Sequence, residues 1–254
     1  MDFVKMHGSG NDFIVLEGPY QPSSEDIVSW CARRTGIGAD GLLVATRLSD
    51  VKVSMRYWNA DGGEAEMCGT GLRCVARLAF DKGWVDSPDF VVESAVGDHT
   101  VVVASDSVVA YIGEPTPFRS GALTIGDLEV FPFSIGNPHA VIFVDDVESF
   151  PVHDIGPMVE YDPLFPDRTN VEFVEILENG AIRIRIWERG VGETQASGTG
   201  STAAAYMAHT ARSVDTPVEV YVPGGIVSVW FDEDGAWMRG PADYSFAGSI
   251  RSEE

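Results

Sequence analysis

The sequence predicts an α+β protein built from two pseudo-symmetric copies of one unit. Three observations carry this expectation. The chain is rich in short alternating strands with few helices, it contains a gapless internal repeat, and its composition breaks at the Pro-rich Gly113-Glu-Pro-Thr-Pro117. At 254 residues it is long enough for one large domain or two small ones with a sizeable core. Its 44% hydrophobic and 22% charged residues are ordinary globular composition, which excludes disorder as the main state.

The elements follow in order. Phe3–Met6 and Asp12–Leu16 read as short strands around a Gly-rich turn. Glu25–Arg34 reads as a helix after a Ser-Ser-Glu-Asp start, with Gly36 as its C-cap. Gly41–Ala45, Lys52–Trp58, Phe90–Glu93, Thr100–Ala104 and Val108–Ile112 are β-like, separated by Gly, Asp and Ser turns. Beyond the Pro-rich break come Leu128–Phe133, Ala140–Val144, Val171–Ile176, Ile182–Trp187, Pro217–Tyr221 and Ile226–Phe231.

The repeat is the most informative feature. WNADGGEAEMCGTG at 58–71 aligns with WERGVGETQASGTG at 187–200 at a constant offset of 129 residues. Both copies follow an alternating strand, VKVSMRYW and AIRIRIW, and both precede an apolar run suited to a buried helix, LRCVARLAF and STAAAYMA. Each therefore places a Gly-rich turn at a helix start, where unpaired backbone N–H groups and a partial positive charge favour an anion such as a carboxylate. The residue at that turn is Cys68 in the first copy and Ser197 in the second. A thiol so placed has its pKa lowered into a range of about 3.5–7.5, where it serves as base or nucleophile. Two-fold repetition suits a reaction that treats two faces of one centre alike: a proton removed from one face and returned to the other. Cys31 and Cys74 lie in apolar helical patterns and read as core.

The charge narrows the partners. Net −22, with Lys5, Lys52 and Lys82 the only lysines, repels phosphate backbones and anionic lipids, so neither nucleic acid nor membrane is expected. Such composition suits a high-salt habitat and equally simple colloidal solubility. No 18-residue apolar run occurs, and MDFVKMHGSGNDF lacks a signal core, so the cytoplasm is the expected compartment. Three cysteines without C-x-x-C spacing, and His7, His99, His153 and His209 scattered along the chain, suggest neither a disulfide framework nor a metal site. GIGADG at 36–41 matches G-x-G-x-x-G, but a helix precedes it and a strand follows, the reverse of a dinucleotide site; Asp40 reads as a structural turn residue. None of the lysines sits in a phosphate-binding context, so cofactor-free chemistry is expected. G-x-S-x-G is absent.

KMHGSGNDF at 5–13, GIGADG at 36–41, NADGGEAEMCGTGLRC at 59–74, GNPHAV at 136–141, RTNVEFV at 168–174 and ERGVGETQASGTG at 188–200 are long and specific. On these segments the chain resembles the diaminopimelate epimerase family, cofactor-independent enzymes that interconvert LL- and meso-diaminopimelate in lysine and cell-wall precursor synthesis. The resemblance implies two halves, each a barrel-like sheet around a central helix, with the active site in the cleft between them and the last strand returning to the first half. The expected halves are 1–114 with 241–254, and 115–240. It implies that Cys68 is one of two catalytic cysteines, while Ser197 stands where the other belongs. Asn11, Asn59, Asn137, Asn170 and Arg189 match substrate-holding residues, Arg189 at the distal carboxylate. Gly69, Thr70, Gly198 and Thr199 match the grip on the carboxylate beside the reacting carbon, although Thr70 departs from the Asn often found there. His139 and Glu188 match polar residues that set the protonation of the thiols, and Glu188 also counts among the substrate contacts. The partner expected is a small amino acid; a homodimer stays open. Ser197 leaves three readings: an engineered Cys-to-Ser change, a one-thiol member with altered chemistry, or a relative without catalysis. Another cofactor-independent racemase of the same fold, or a non-catalytic amino-acid-binding relative, is the alternative function.

Overall fold

Strands that run parallel cannot be joined by a tight turn; each such pair needs a crossover. The computed structural model, which describes residues 1–117 and 121–250, has parallel pairs that dictate where its helices lie. Residues 118–120 and 251–254 of the sequence-based halves fall outside the described residues. The chain divides into two compact units, Met1–Ala110 with Gly240–Glu254, and Tyr111–Arg239.

The first unit runs β1 (Asp2–Gly8), β2 (Asn11–Glu17), α1 (Ser24–Cys31), β3 (Gly41–Ser49), β4 (Lys52–Asn59), β5 (Glu64–Ala65), α2 (Gly69–Asp81), β6 (Asp89–Ser94), β7 (Gly97–Val103) and the start of β8 (Val108–Gly113). β2 and β3 pair in parallel, bridged by α1; β4 and β6 pair in parallel, bridged by α2. The remaining neighbours, β1–β2, β3–β4, β4–β5, β6–β7 and β7–β8, are antiparallel. α2 packs against β1 to β4, β6 and β7. The sheet thus wraps the helix, and every residue from Gly69 to Ala79 except Arg77 is buried. A helix buried nearly all round, including the charged Arg73, fits only inside such a wrap.

The second unit repeats the plan with β9 (Thr116–Pro117), β10 (Leu123–Ile125), β11 (Leu128–Ser134), β12 (Pro138–Phe143), α3 (Val152–Glu160), β13 (Asn170–Ile176), β14 (Ile182–Glu188), β15 (Gly192–Thr194), α4 (Gly198–Arg212), β16 (Val218–Val222), β17 (Gly225–Asp232) and β18 (Gly235–Gly240). Its parallel pairs are β12–β13, bridged by α3, and β14–β16, bridged by α4. α4 packs against β11 to β14, β16 and β17, as α2 does in the first unit. β19 (Asp243–Ser249) pairs antiparallel with β1, which places the C-terminal strand in the first unit. The architecture is therefore α+β, with a mixed, barrel-like sheet around one central helix in each unit. Among the described residues no helix is long and apolar enough to cross a membrane.

Two helices differ from the sequence reading. α1 ends at Cys31, not Arg34, and its C-cap is Ala32 in extended conformation, not Gly36. The carbonyls that a longer helix would use inside itself accept instead from the returning loop: Ala32 from Gly36, Trp30 from Ile37 and Gly38, Cys31 from Ala39. Arg33 leaves the helix to meet the carboxylates of Asp12 and Asp40. α3 lies in a stretch to which the sequence reading assigns no element, and Gly156 and Pro157 are poor helix formers. It forms because the parallel β12–β13 pair needs a crossover. Gly156 is required there, since a Cβ would lie 2.6 Å from the Trp187 ring.

Replacing Leu72, wholly buried on α2, by Ala should lower unfolding free energy by about 2–5 kcal/mol. Val51→Ala, at a position 61% exposed, should stay within about 0.5 kcal/mol. Urea denaturation of both variants checks the contrast; equal losses would contradict the central placement of α2.

Candidate active site

The two repeat turns end in the same local structure. Cys68 is the N-cap of α2 in extended conformation (φ −145°, ψ 112°), and its Sγ accepts from the Gly71 N–H at 3.3 Å. Ser197 is the N-cap of α4 (φ −140°, ψ 129°), and its Oγ accepts from the Gly200 N–H at 3.2 Å. Glycine at the third helical position makes this approach feasible. A Cβ on Gly71 would lie 3.0 Å from Leu43 and 3.3 Å from the Cys68 Cβ; on Gly200 it would lie 2.9 Å from Glu172 Oε1 and 3.2 Å from Ser197 Oγ. Neither helix has an acidic residue in its first turn to compensate the N-terminal dipole. Each end can therefore accept an anion, and in the first copy it favours thiolate at the cap.

Around Cys68, Asn11 follows the turn glycine Gly10, whose φ of 83° suits glycine. The Asn11 amide donates to Asp40 Oδ2 at 2.9 Å, which turns its Oδ1 toward Cys68 Sγ, 3.9 Å away. Asp40 in turn belongs to a cluster with Asp12, Arg33 and Lys5; Lys5 Nζ is buried between Asp12 Oδ2 and the Gly38 carbonyl, 2.5 Å from each. Burial works to raise the Asp12 carboxyl, but Arg33 and Lys5 hold it below its ordinary value. Burial raises the Asp40 carboxyl. Asn59 accepts from the Tyr57 hydroxyl at its Oδ1. Gly69 and Thr70 are buried in the first turn of α2, and Thr70 Oγ1 has no partner among the described residues.

In the second unit, Asn137 follows Gly136, again at positive φ (91°). Its Nδ2 donates to Thr199 Oγ1 at 3.3 Å, and Thr199 Oγ1 lies 3.5 Å from Ser197 Oγ. Its Oδ1 faces His139 Nε2 at 2.9 Å, and His139 Nδ1 lies 2.7 Å from Glu172 Oε1. Asn137, His139, Thr199 and Ser197 thus form one hydrogen-bonded chain within the unit. Asn170 and Arg189 form another group: Asn170 Oδ1 accepts from the Arg189 backbone N–H at 2.9 Å while its Nδ2 donates to the Pro138 carbonyl. The Arg189 guanidinium donates to the Asp167 carbonyl at 3.2 Å. Glu188 ends β14 and accepts from the Thr194 hydroxyl.

Two residues absent from the sequence reading of the site stand out. Asp40, read only as a turn residue, orients Asn11. Glu172 is wholly buried against His139. Strand alternation gives it the face opposite Val171 and Phe173, a face usually solvated, and only the packing of α4 on β13 buries it. Among the described residues no group of His, Cys, Asp or Glu side chains is arranged to hold a metal ion. His99 is buried against Ser94, and His209 meets the Val214 carbonyl.

A family model described as diaminopimelate epimerase matches residues 3–117 and 131–245. The chain is 40% identical over 273 residues to a diaminopimelate epimerase of Ectopseudomonas mendocina, covering 98% of each. It is 40% identical over 279 residues to one of Cupriavidus metallidurans, covering 98% of this chain and 97% of the relative. Among solved structures it is similar in fold to a probable proline racemase from Agrobacterium radiobacter with bound carbonate (TM-score 0.73, 14% identity, 99% of this chain and 93% of that one). A hydroxyproline epimerase from Agrobacterium vitis with bound trans-4-hydroxy-L-proline is also similar (TM-score 0.71, 14% identity, 98% and 91%).

Thiol reactivity separates the three cysteines. Cys31 and Cys74 are buried, and burial pushes both thiols up to about 12, whereas Cys68 is partly exposed at a helix start. Native iodoacetamide treatment at neutral pH, read by peptide mass spectrometry, should modify Cys68 first and leave the other two intact. Faster labelling of Cys31 or Cys74 would contradict the assignment.

Proposed function

The chain belongs to the diaminopimelate epimerase family, and we propose on that premise that it interconverts LL- and meso-diaminopimelate by moving the α-proton between two faces of one carbon. The observation that carries the reading is the doubled cap. Cys68 and Ser197 occupy equivalent positions, with the same backbone conformation and the same glycine N–H contact, in two copies of one unit. A two-base inversion asks for such a pair of groups.

In the proposed reaction the substrate's α-carboxylate is held by N–H groups at Gly69, Thr70, Gly198 and Thr199, with Asn11, Asn59, Asn137 and Asn170 as further polar contacts. The Cys68 thiolate removes the α-proton: the C–H bond breaks, an S–H bond forms, and the electron pair moves toward the carboxylate. Backbone donors fixed at the two helix starts would stabilise the added charge without reorganising. A proton returned from the opposite face, by the group at position 197, forms the new C–H bond. His139 and Glu188 set the protonation of the two caps. A hydroxyl is a far weaker acid than a thiol, so Ser197 slows the return step. Arg189, planar and bidentate, reads the distal carboxylate. The reading includes a cytoplasmic location. Ser197 is the one observation that favours a second reading, a relative that binds the amino acid without turning it over.

Epimerisation by this chain should run about 10²–10⁴-fold below that of Ser197→Cys, the range of a lost acid–base group. Solvent deuterium incorporation at the α-carbon should persist only for the stereoisomer whose α-hydrogen faces Cys68. Full-speed epimerisation with Ser197 in place would refute the two-thiol mechanism, and binding without α-exchange in both proteins would establish the binding-only reading. Arg189→Lys should weaken diaminopimelate by about 10–100-fold, the worth of a charged hydrogen bond, and leave a monocarboxylic amino acid nearly unaffected. Calorimetric titration with both ligands reads the difference, and equal losses would reassign Arg189 to a structural role.

A further inference from the structure

The two copies differ in what lies beneath their capped turns. In β2–β3, Phe13 sits opposite Gly41; at the same register in β12–β13, His139 sits opposite Asn170. Gly71 of α2 rests on Leu43, and Gly200 of α4 rests on Glu172. The first copy therefore fills this space with Phe13 and Leu43, the second with His139 and Glu172, all four buried at 0% exposure. The molecule itself demonstrates that apolar residues pack this position. Two ionisable groups there add little stability over such residues and need another reason.

We propose that Glu172 is a positioning residue: it holds one shared proton with His139 and thereby fixes the donor sense of the hydrogen bonds that run to Thr199. Asn137 Oδ1 is an acceptor, so His139 Nε2, 2.9 Å away, carries a hydrogen. A second proton lies on the 2.7 Å line between His139 Nδ1 and Glu172 Oε1. Glu172 Oε2 has no partner among the described residues, an arrangement that opposes a bare carboxylate and keeps that proton in place. Burial pushes the Glu172 carboxyl up, and the charge of His139 works against it.

The consequence is directional. His139 donates to Asn137, whose amide must then present Nδ2–H to Thr199 Oγ1. The Thr199 hydroxyl, already accepting, is left to donate at the start of α4, to Ser197 Oγ 3.5 Å away or to an anion bound there. Without Glu172 the ring keeps one proton. It can then carry that proton on Nδ1, let the Asn137 amide turn over, and draw the Thr199 hydroxyl inward. In the epimerase reading, on which this kinetic consequence alone rests, Thr199 would then lose its donor to the substrate carboxylate.

The test is ring NMR of protein labelled with ¹⁵N-histidine, with His139→Gln identifying the signals. The unaltered protein should show a proton on His139 Nε2 and a second, slowly exchanging and strongly downfield, coupled to Nδ1. Glu172→Leu, which installs the residue that packs this position in the first copy and can neither donate to nor accept from Nδ1, should lose the downfield proton and weaken diaminopimelate binding about tenfold with its circular dichroism unchanged. No proton on the line between His139 Nδ1 and Glu172, or none on His139 Nε2, in the unaltered protein overturns the proposal without any need for the variant to fold. So does an identical ring pattern in Glu172→Leu. If diaminopimelate binds neither protein, the epimerase reading fails, while the ring spectra still decide the role of Glu172.

Discussion

The third N–H of each central helix reaches back to the side chain in front of that helix, and each unit is built to hold that contact. Gly71 meets Cys68 Sγ and Gly200 meets Ser197 Oγ, both across distances that any larger residue at the third position would disturb. The helix start must stay fixed and dry enough for its dipole to count, and the surrounding sheet provides this. Parallel pairs β4–β6 and β14–β16 send the chain through α2 and α4, and the wrapped strands bury both helices. Fold and chemistry meet at one hydrogen bond per unit.

The copies have diverged around that shared contact. Leu43 lies against the Gly71 turn and Phe13 holds the register position of His139, while Asn11 is oriented by Asp40 within a cluster of four charged side chains. Beneath Ser197 lie His139 and Glu172, and Asn137 is oriented by the imidazole. Each copy thus fixes an asparagine amide beside its cap, one through a surface-linked carboxylate and the other through a buried dyad. Serine at the second cap makes the same hydrogen bond from the same backbone conformation as cysteine at the first, but its hydroxyl is a far weaker acid than a thiol. Structure alone therefore treats the two caps as equals, and chemistry separates them.

Much of this was legible before any coordinates. The gapless repeat located both central helices and both caps, because a Gly-Thr-Gly turn before an apolar run has few other uses. Cys31 and Cys74 read correctly as core from their apolar helical neighbours. The expectation failed where tertiary demands override local preference. α3 carries Gly156 and Pro157 yet forms because β12 and β13 are parallel. α1 stops at Cys31 because its last carbonyls serve the returning loop. Glu172 escaped notice because alternation specifies a face, not what covers it.

The proposed reaction requires that the two capped helix starts serve one substrate molecule. Backbone amide NMR during titration with diaminopimelate tests it most directly, through the N–H signals of Gly69 and Thr70 on one helix and Gly198 and Thr199 on the other. The account predicts that all four shift along one saturation curve that ends at one equivalent. A response confined to one helix, or two curves with different affinities, would contradict it.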